Sequence, residues 1–207
     1  SGQVTVKGAL VWMVAQALIA ALVLFSYDAL AILLGFASLA LVAIYPFAKR
    51  FTWWPQVFLG LAFNWGAVLA YAAHAGSVSL STLFLYAAGI SWTLYYDTIY
   101  AHQDKEDDAL IGVKSTARLF GDHSRQALWG FMGLTVILAA AAIATAPIAG
   151  VWQPLVALAG VWAFGWHMVW QMRRLDVDDP TSCMVIFRAN RDAGLILALF
   201  LAVAAFL

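Results

Sequence analysis

The chain has 207 residues, 64% of them hydrophobic and only 11% charged, with a mean hydropathy of +0.86 and a formal net charge of zero. This balance excludes a water-soluble globular domain and predicts an all-α, polytopic transmembrane helical bundle. The one cysteine, Cys183, excludes an internal disulfide and reads as a small loop residue.

A helical span needs about 20 mostly apolar residues. Taken in chain order, such stretches run near 8–26, 29–48, 55–75, 80–100, 125–145, 151–172 and 192–207, which predicts seven spans. Ser1 rather than Met opens the sequence, and residues 1–9 lack the basic start of a signal peptide, so the text reads as beginning internally. Pro55 suits the first turn of the third span, because its missing N–H costs nothing there. Residues 75–77 and 146–150 read as tight connections. Pro180 reads as a helix breaker within a long polar loop before the seventh span. All eleven basic residues fall at the N-terminus or after the second, fourth and sixth spans; the other loops hold none. That is the positive-inside pattern, and it predicts that the loop near residue 104 faces the cytoplasm, or the matrix of a mitochondrion. Gly60, Gly66, Gly89 and Gly165 within spans predict close helix packing. Trp53, Trp54, Trp152 and Trp166 near span ends predict interface anchoring.

Three constellations lie at the basic end. In IYPFAKRFTWWPQ, Tyr45 and Lys49 are four residues apart and share a helix face, with Arg50 beside them. A phenol and an ammonium on one face suit a phosphate oxygen, and the Arg50 fork suits phosphate or carboxylate. The same residues also suit a basic cap whose side chains reach toward head groups. In YDTIYAHQDKEDDALIGVKSTARLFG, residues 96–121, Asp97, Asp104 and Asp108 are spaced by seven and four. On a continuing helix they form one stripe, with Glu106 opposite. Carboxylates at that depth call for a counter-ion, and a hard divalent cation shared with a phosphate would serve. A solvated acidic loop is the competing reading. Lys114 and Arg118 either touch the same anion or orient the loop. In RRLDVDDPTSCMVIFRANRDAG the acidic residues read as solvated, while Arg188, Asn190 and Arg191 are placed to face the same cavity. Asn64, in mid-span, needs a partner or lines a substrate cavity. His74, His102, His123 and His167 form no zinc-type set, and His102 reads as a loop residue.

The 26-residue acidic segment and the YPFAKRFTWWPQVFLGLAFNWG stretch resemble the UbiA superfamily of intramembrane aromatic prenyltransferases, in its 4-hydroxybenzoate polyprenyltransferase branch. The resemblance implies a nine-helix bundle around a central cavity and an Mg²⁺-dependent transfer of a polyprenyl group to the ring carbon ortho to the acceptor's hydroxyl, in ubiquinone biosynthesis. It implies Asp97, Asp104 and Asp108 as catalytic residues, with Asp104 and Asp108 holding Mg²⁺. Tyr45, Lys49, Arg50, Asn64, Lys114 and Arg118 would bind substrate, Arg50 being the candidate for the acceptor carboxylate. The implied partners are polyprenyl diphosphate, 4-hydroxybenzoate and the lipid bilayer, and not nucleic acid. The implied location is a bacterial inner membrane, with the mitochondrial inner membrane as the alternative. Nothing in the sequence matches the family's first Asp-rich motif, Asn-Asp-x-x-Asp-x-x-x-Asp. Residues 1–207 are therefore expected to form one partial transmembrane prenyltransferase domain, starting just after that motif and inactive by itself. Homogentisate or dihydroxynaphthoate acceptors, a transporter and a scaffold are the competing functions. The absence of a repeat and of mid-span charges weighs against a transporter.

Overall fold

The computed structural model describes residues 3–148 and 150–207, and among these there is no β-strand. The helices are α1 (Val6–Leu24), α2 (Ala29–Phe51), α3 (Pro55–Phe63), α4 (Trp65–Ala75), α5 (Leu80–Ala101), α6 (Lys105–Leu110), α7 (Thr116–Phe120), α8 (Ser124–Ala144), α9 (Trp152–Arg174) and α10 (Pro180–Ala205). Their starts follow local chemistry. Thr5, Asp28, Ser79, Ser115 and Asp179 each accept a hydrogen bond from the first turn of the helix they precede. Gly76 closes α4 in the left-handed conformation, φ +62°, where a side chain would be strained.

Five stretches are long and apolar enough to cross a membrane: Val6–Leu24, Ala29–Phe51, Pro55–Ala75, Thr116–Ala144 and Trp152–Arg174. Helices α5 and α10 have the length, but Ser, Thr, Tyr and Trp in α5 and the charges in α10 dilute their apolar character. These are the two helices with most to place against protein rather than lipid. The core forms where α5, α8, α9 and α10 meet, around Tyr95, Ile99, Leu128, Phe164, Met168 and Ile186. Small residues bring the helices close: a Cβ on Gly60 would lie 3.2 Å from the Ile90 Cα of α5. Buried polar groups find partners across helices, as the Tyr95 hydroxyl does with Gln171 Oε1 at 3.1 Å. By contrast, α1 buries no side chain and packs only loosely, against α2, leaving most of its apolar surface to lipid.

Four sequence expectations are corrected. The third span is broken at Asn64, whose backbone (φ −89°, ψ 0°) ends α3 and starts α4. The last helix starts at Pro180, not near residue 192: Asp179 caps it and Pro180 takes its first position, so Arg188, Asn190 and Arg191 are helical. Cys183 is therefore a buried helix residue, not a loop residue. The acidic stripe is not carried on one helix either, because α5 stops at Ala101 and a turn intervenes before α6.

Candidate active site

The polar end of the bundle is assembled from α2, α5 and the segment that carries α6 and α7. Tyr45 and Lys49 lie on one face of α2, as their spacing requires. Lys49 acts electrostatically on Asp97 of α5 and on Asp108 of α6, so groups from three helices share one polar space. Tyr45 lies in the field of Asp97 as well. The break in the stripe changes the roles of its members. Asp104 takes the position before α6, where its carbonyl accepts from the Asp108 N–H at 2.7 Å, and its side chain is exposed. Asp108, 8% exposed, is buried, and its Oδ2 has no hydrogen-bond partner. Burial pushes the Asp108 carboxyl above the usual carboxylate range; Lys49 and Arg118 oppose that shift, and Asp104 and Asp107 add to it.

The acidic segment is sewn onto the ends of α2 and α3. The Lys114 N–H donates to the Lys49 carbonyl at 3.2 Å, and Lys114 Nζ reaches the Phe51 carbonyl at 3.4 Å. The Thr116 N–H donates to Gln56 Oε1 at 3.3 Å, while the Thr116 and Thr98 hydroxyls pair at 2.6 Å. Arg118 donates to the carbonyls of Asp108, at 3.1 Å, and of Val113. Lys114 and Arg118 both lie over the Trp53 ring, at 5.9 and 5.4 Å. In this structure the two cations hold the loop. Arg50 turns away to lie over Phe47 at 5.8 Å.

Beside this polar space is a cavity of about 710 Å³, lined by Asn64, Trp92, Tyr96, Phe187, Arg188 and Asn190 among others. The helix break at Asn64 faces it. Asn64 Nδ2 donates to the Gly60 carbonyl and to Thr93 Oγ1, both at 2.9 Å. Thr93 Oγ1 in turn lies 3.2 Å from the Tyr96 hydroxyl. The Asn64 side chain is thus both an interhelical partner and a cavity wall. The aromatic walls Trp92, Tyr96 and Phe187 were not singled out from the sequence; the usable signal was the aromatic density of α5 just before Asp97. His102 was missed too. It is 6% exposed, its Nδ1 donates to the Thr98 carbonyl at 2.8 Å, and its Nε2 is left without a partner.

Among the described residues no three His, Cys, Asp or Glu side chains converge on one point. The donor set that remains still fits Mg²⁺. It is a pair of hard carboxylates, Asp104 and Asp108, one with an unpartnered oxygen, and Mg²⁺ commonly takes one or two protein carboxylates together with waters and substrate phosphates.

An apolar helical bundle with a carboxylate-and-cation end beside an aromatic cavity defines a polytopic membrane protein with its polar groups gathered at one end. More particularly, the chain belongs to the UbiA prenyltransferase family, whose profile matches residues 1–191. It is similar to three proteins named 4-hydroxybenzoate polyprenyltransferase, mitochondrial. The one from Drosophila melanogaster is 46% identical over 203 residues, covering 96% of this chain and 50% of the relative. The one from Dictyostelium discoideum is 45% identical over 205 residues, covering 98% and 43%. The one from Rattus norvegicus is 44% identical over 200 residues, covering 96% and 52%. The chain thus spans about half the length of the curated relatives it matches. In fold it is similar to the apo structure of a UbiA homolog from Aeropyrum pernix K1, with a TM-score of 0.79 and 23% identity, covering 98% of this chain and 74% of that one.

Proposed function

We propose that residues 1–207 form a single membrane domain of an Mg²⁺-dependent 4-hydroxybenzoate polyprenyltransferase, acting in ubiquinone biosynthesis on polyprenyl diphosphate and 4-hydroxybenzoate. The observation that carries this reading is the gathering of Lys49, Asp97 and Asp108 from three helices beside an aromatic cavity. The relatives' names support the same reaction. Asp104 and Asp108 would hold Mg²⁺, which when bound supplies positive charge to the diphosphate leaving group. Lys49, with Tyr45 one turn before it, meets diphosphate oxygens and draws the electrons of the breaking allylic C–O bond toward the leaving group. Asp97 attracts the Lys49 ammonium across the site without contacting it. Arg118 and Lys114 fix the loop that presents the two carboxylates. Trp92, Tyr96 and Phe187 exclude water from the reacting carbon and turn π faces toward its developing positive charge. The proton lost from the acceptor ring leaves through the polar end. The membrane is proposed to be a bacterial or mitochondrial inner membrane, with the basic end facing cytoplasm or matrix.

The test uses membranes carrying the natural full-length product, supplied with 4-hydroxybenzoate, a polyprenyl diphosphate and Mg²⁺. Chelator-sensitive formation of the prenylated acid is expected. Asp104→Asn and Asp108→Asn are each expected to lower turnover by roughly 100-fold or more and to raise the Mg²⁺ concentration needed for half-maximal rate. Unchanged kinetics in both variants would remove the metal role from this segment.

A further inference from the structure

The polar foot of α10 is not used by the mechanism above, yet it faces the cavity. Because Asp179 and Pro180 start the helix early, Arg188 and Asn190 fall in its third turn and line the same space as Asn64 and Tyr96. Their surroundings are fixed. The Trp92 indole N–H donates to Asn190 Oδ1 at 2.8 Å. The Trp92 ring stands edge-on to Tyr96 and Phe164, with centroids at 5.8 and 5.1 Å. Its far edge rests on Gly194, where a Cβ would lie 2.8 Å from the ring. Phe187 tilts against Tyr96 with centroids 6.0 Å apart. The result is a cavity lined by a packed aromatic cluster, by Asn64 and Asn190, and by the two arginines Arg188 and Arg191.

The two arginines there differ. Arg191 is held by Asp192, with Nη2 and Nε both 2.9 Å from Oδ1. Arg188 makes no ion pair and no side-chain hydrogen bond among the described residues. Arg188 is exposed, so its guanidinium stands at the open side of a mostly apolar cavity, where an entering anion can meet it. Its planar fork matches a carboxylate through two parallel hydrogen bonds. The cavity volume, about 710 Å³, falls in the small-ligand range. A flat ring carrying a carboxylate and a hydroxyl matches this lining in kind: aromatic surface for the ring, a guanidinium for the carboxylate and amide groups for the hydroxyl.

We infer that Arg188 recognises the carboxylate of the aromatic acceptor, whose ring lies in the cavity against the cluster of Trp92, Tyr96 and Phe187. The inference deepens the reading given under Proposed function and rests on it for the acceptor's identity. It assigns to Arg188 the role that the sequence offered to Arg50, which lies over Phe47 instead.

The experiment uses the natural full-length protein in lipid nanodiscs and reads two things: equilibrium binding of 4-hydroxybenzoate and of 4-hydroxybenzamide, and KM for acceptor and donor separately. Arg188→Ala is expected to weaken 4-hydroxybenzoate binding and raise the acceptor KM by roughly tenfold or more, with the donor KM unchanged. 4-Hydroxybenzamide, lacking the charge, is expected to bind wild type and variant alike. Arg188→Lys is expected to recover part of the loss, which a folding defect would not show. Acceptor binding within twofold of wild type in Arg188→Ala overturns the inference. So does a rise in donor KM instead, which would assign the cation to the diphosphate. A wild type that binds 4-hydroxybenzoate through Arg188 but prenylates another compound upholds the site and overturns the proposed reaction. A wild type that does not bind 4-hydroxybenzoate overturns the site.

Discussion

Asp108 is the one acidic side chain between Tyr96 and Gly121 that is buried; Asp104, Glu106 and Asp107 are exposed and Asp97 is half-buried. The spacing of seven and four singles out Asp97, Asp104 and Asp108 as one helical stripe. No continuous helix aligns them; the turn at 102–104 brings α6 back beside Lys49. His102 shows the limit of local reading more plainly. Its burial follows from the neighbouring α9–α10 connection, whose Asp178 lines the same polar cavity of about 590 Å³, and a contact between residues so distant in sequence leaves no mark in the text around residue 102. Burial holds the His102 imidazole below its usual pKa, with Lys105 acting in the same direction and the Thr98 carbonyl and Asp178 opposing. The unfolded chain therefore takes up this proton first as pH falls. The contribution of neutral His102 to stability is full above the unfolded value, about 6.5, and is lost as pH drops toward the folded one. Thermal unfolding followed in detergent from pH 7.5 to 5.5 should show falling stability in wild type and a flatter profile in His102→Gln. Equal slopes would assign the acid sensitivity to other groups.

At the scale of elements, the apolar runs and their Ser, Thr and Asp caps made α1, α2, α5, α8 and α9 legible to within about a turn. Two features escaped for physical reasons. The charges at 188–192 read as loop because a membrane helix seldom carries them; they are tolerated where the helix lines a cavity. The break at Asn64 has no proline to announce it. It is stabilised instead by Asn64 bonding back to Gly60 and across to Thr93, partners on two helices. That junction is tight: a Cβ on Gly89 would meet Asn64 Oδ1 at 2.4 Å, and a Cβ on Gly60 would approach the backbone of Ile90. Gly89→Ala is expected to displace Asn64 from Thr93, destabilising the protein by about 1–3 kcal/mol. Gly60→Ala should do the same by separating α3 from α5. Unfolding midpoints in detergent, unchanged for both, would count against the break being held by this packing.

For the whole molecule, the chemistry is concentrated at one end. Lys49 and Arg50 lie in the last turn of α2, Arg173 and Arg174 in the last turn of α9, and the acidic segment between α5 and α8. The opposite end, at the α4–α5 turn, carries no Lys or Arg near Gly76 and Ser77; the charge beside it is Asp28. In a Cys183→Ala background, Ser77→Cys and Glu106→Cys should react with a membrane-impermeant thiol reagent from opposite sides of sealed vesicles. Labelling of both from one side would overturn the arrangement. The seam that fastens the acidic segment to α2 is made at Lys114 twice, by its main-chain N–H on the Lys49 carbonyl and by its ammonium on the Phe51 carbonyl. Every amino acid but proline brings the main-chain donor with it. Most alleles at position 114 would therefore unpick only the ammonium half of the join, whereas a proline allele would keep all the carboxylates and lose both threads at once.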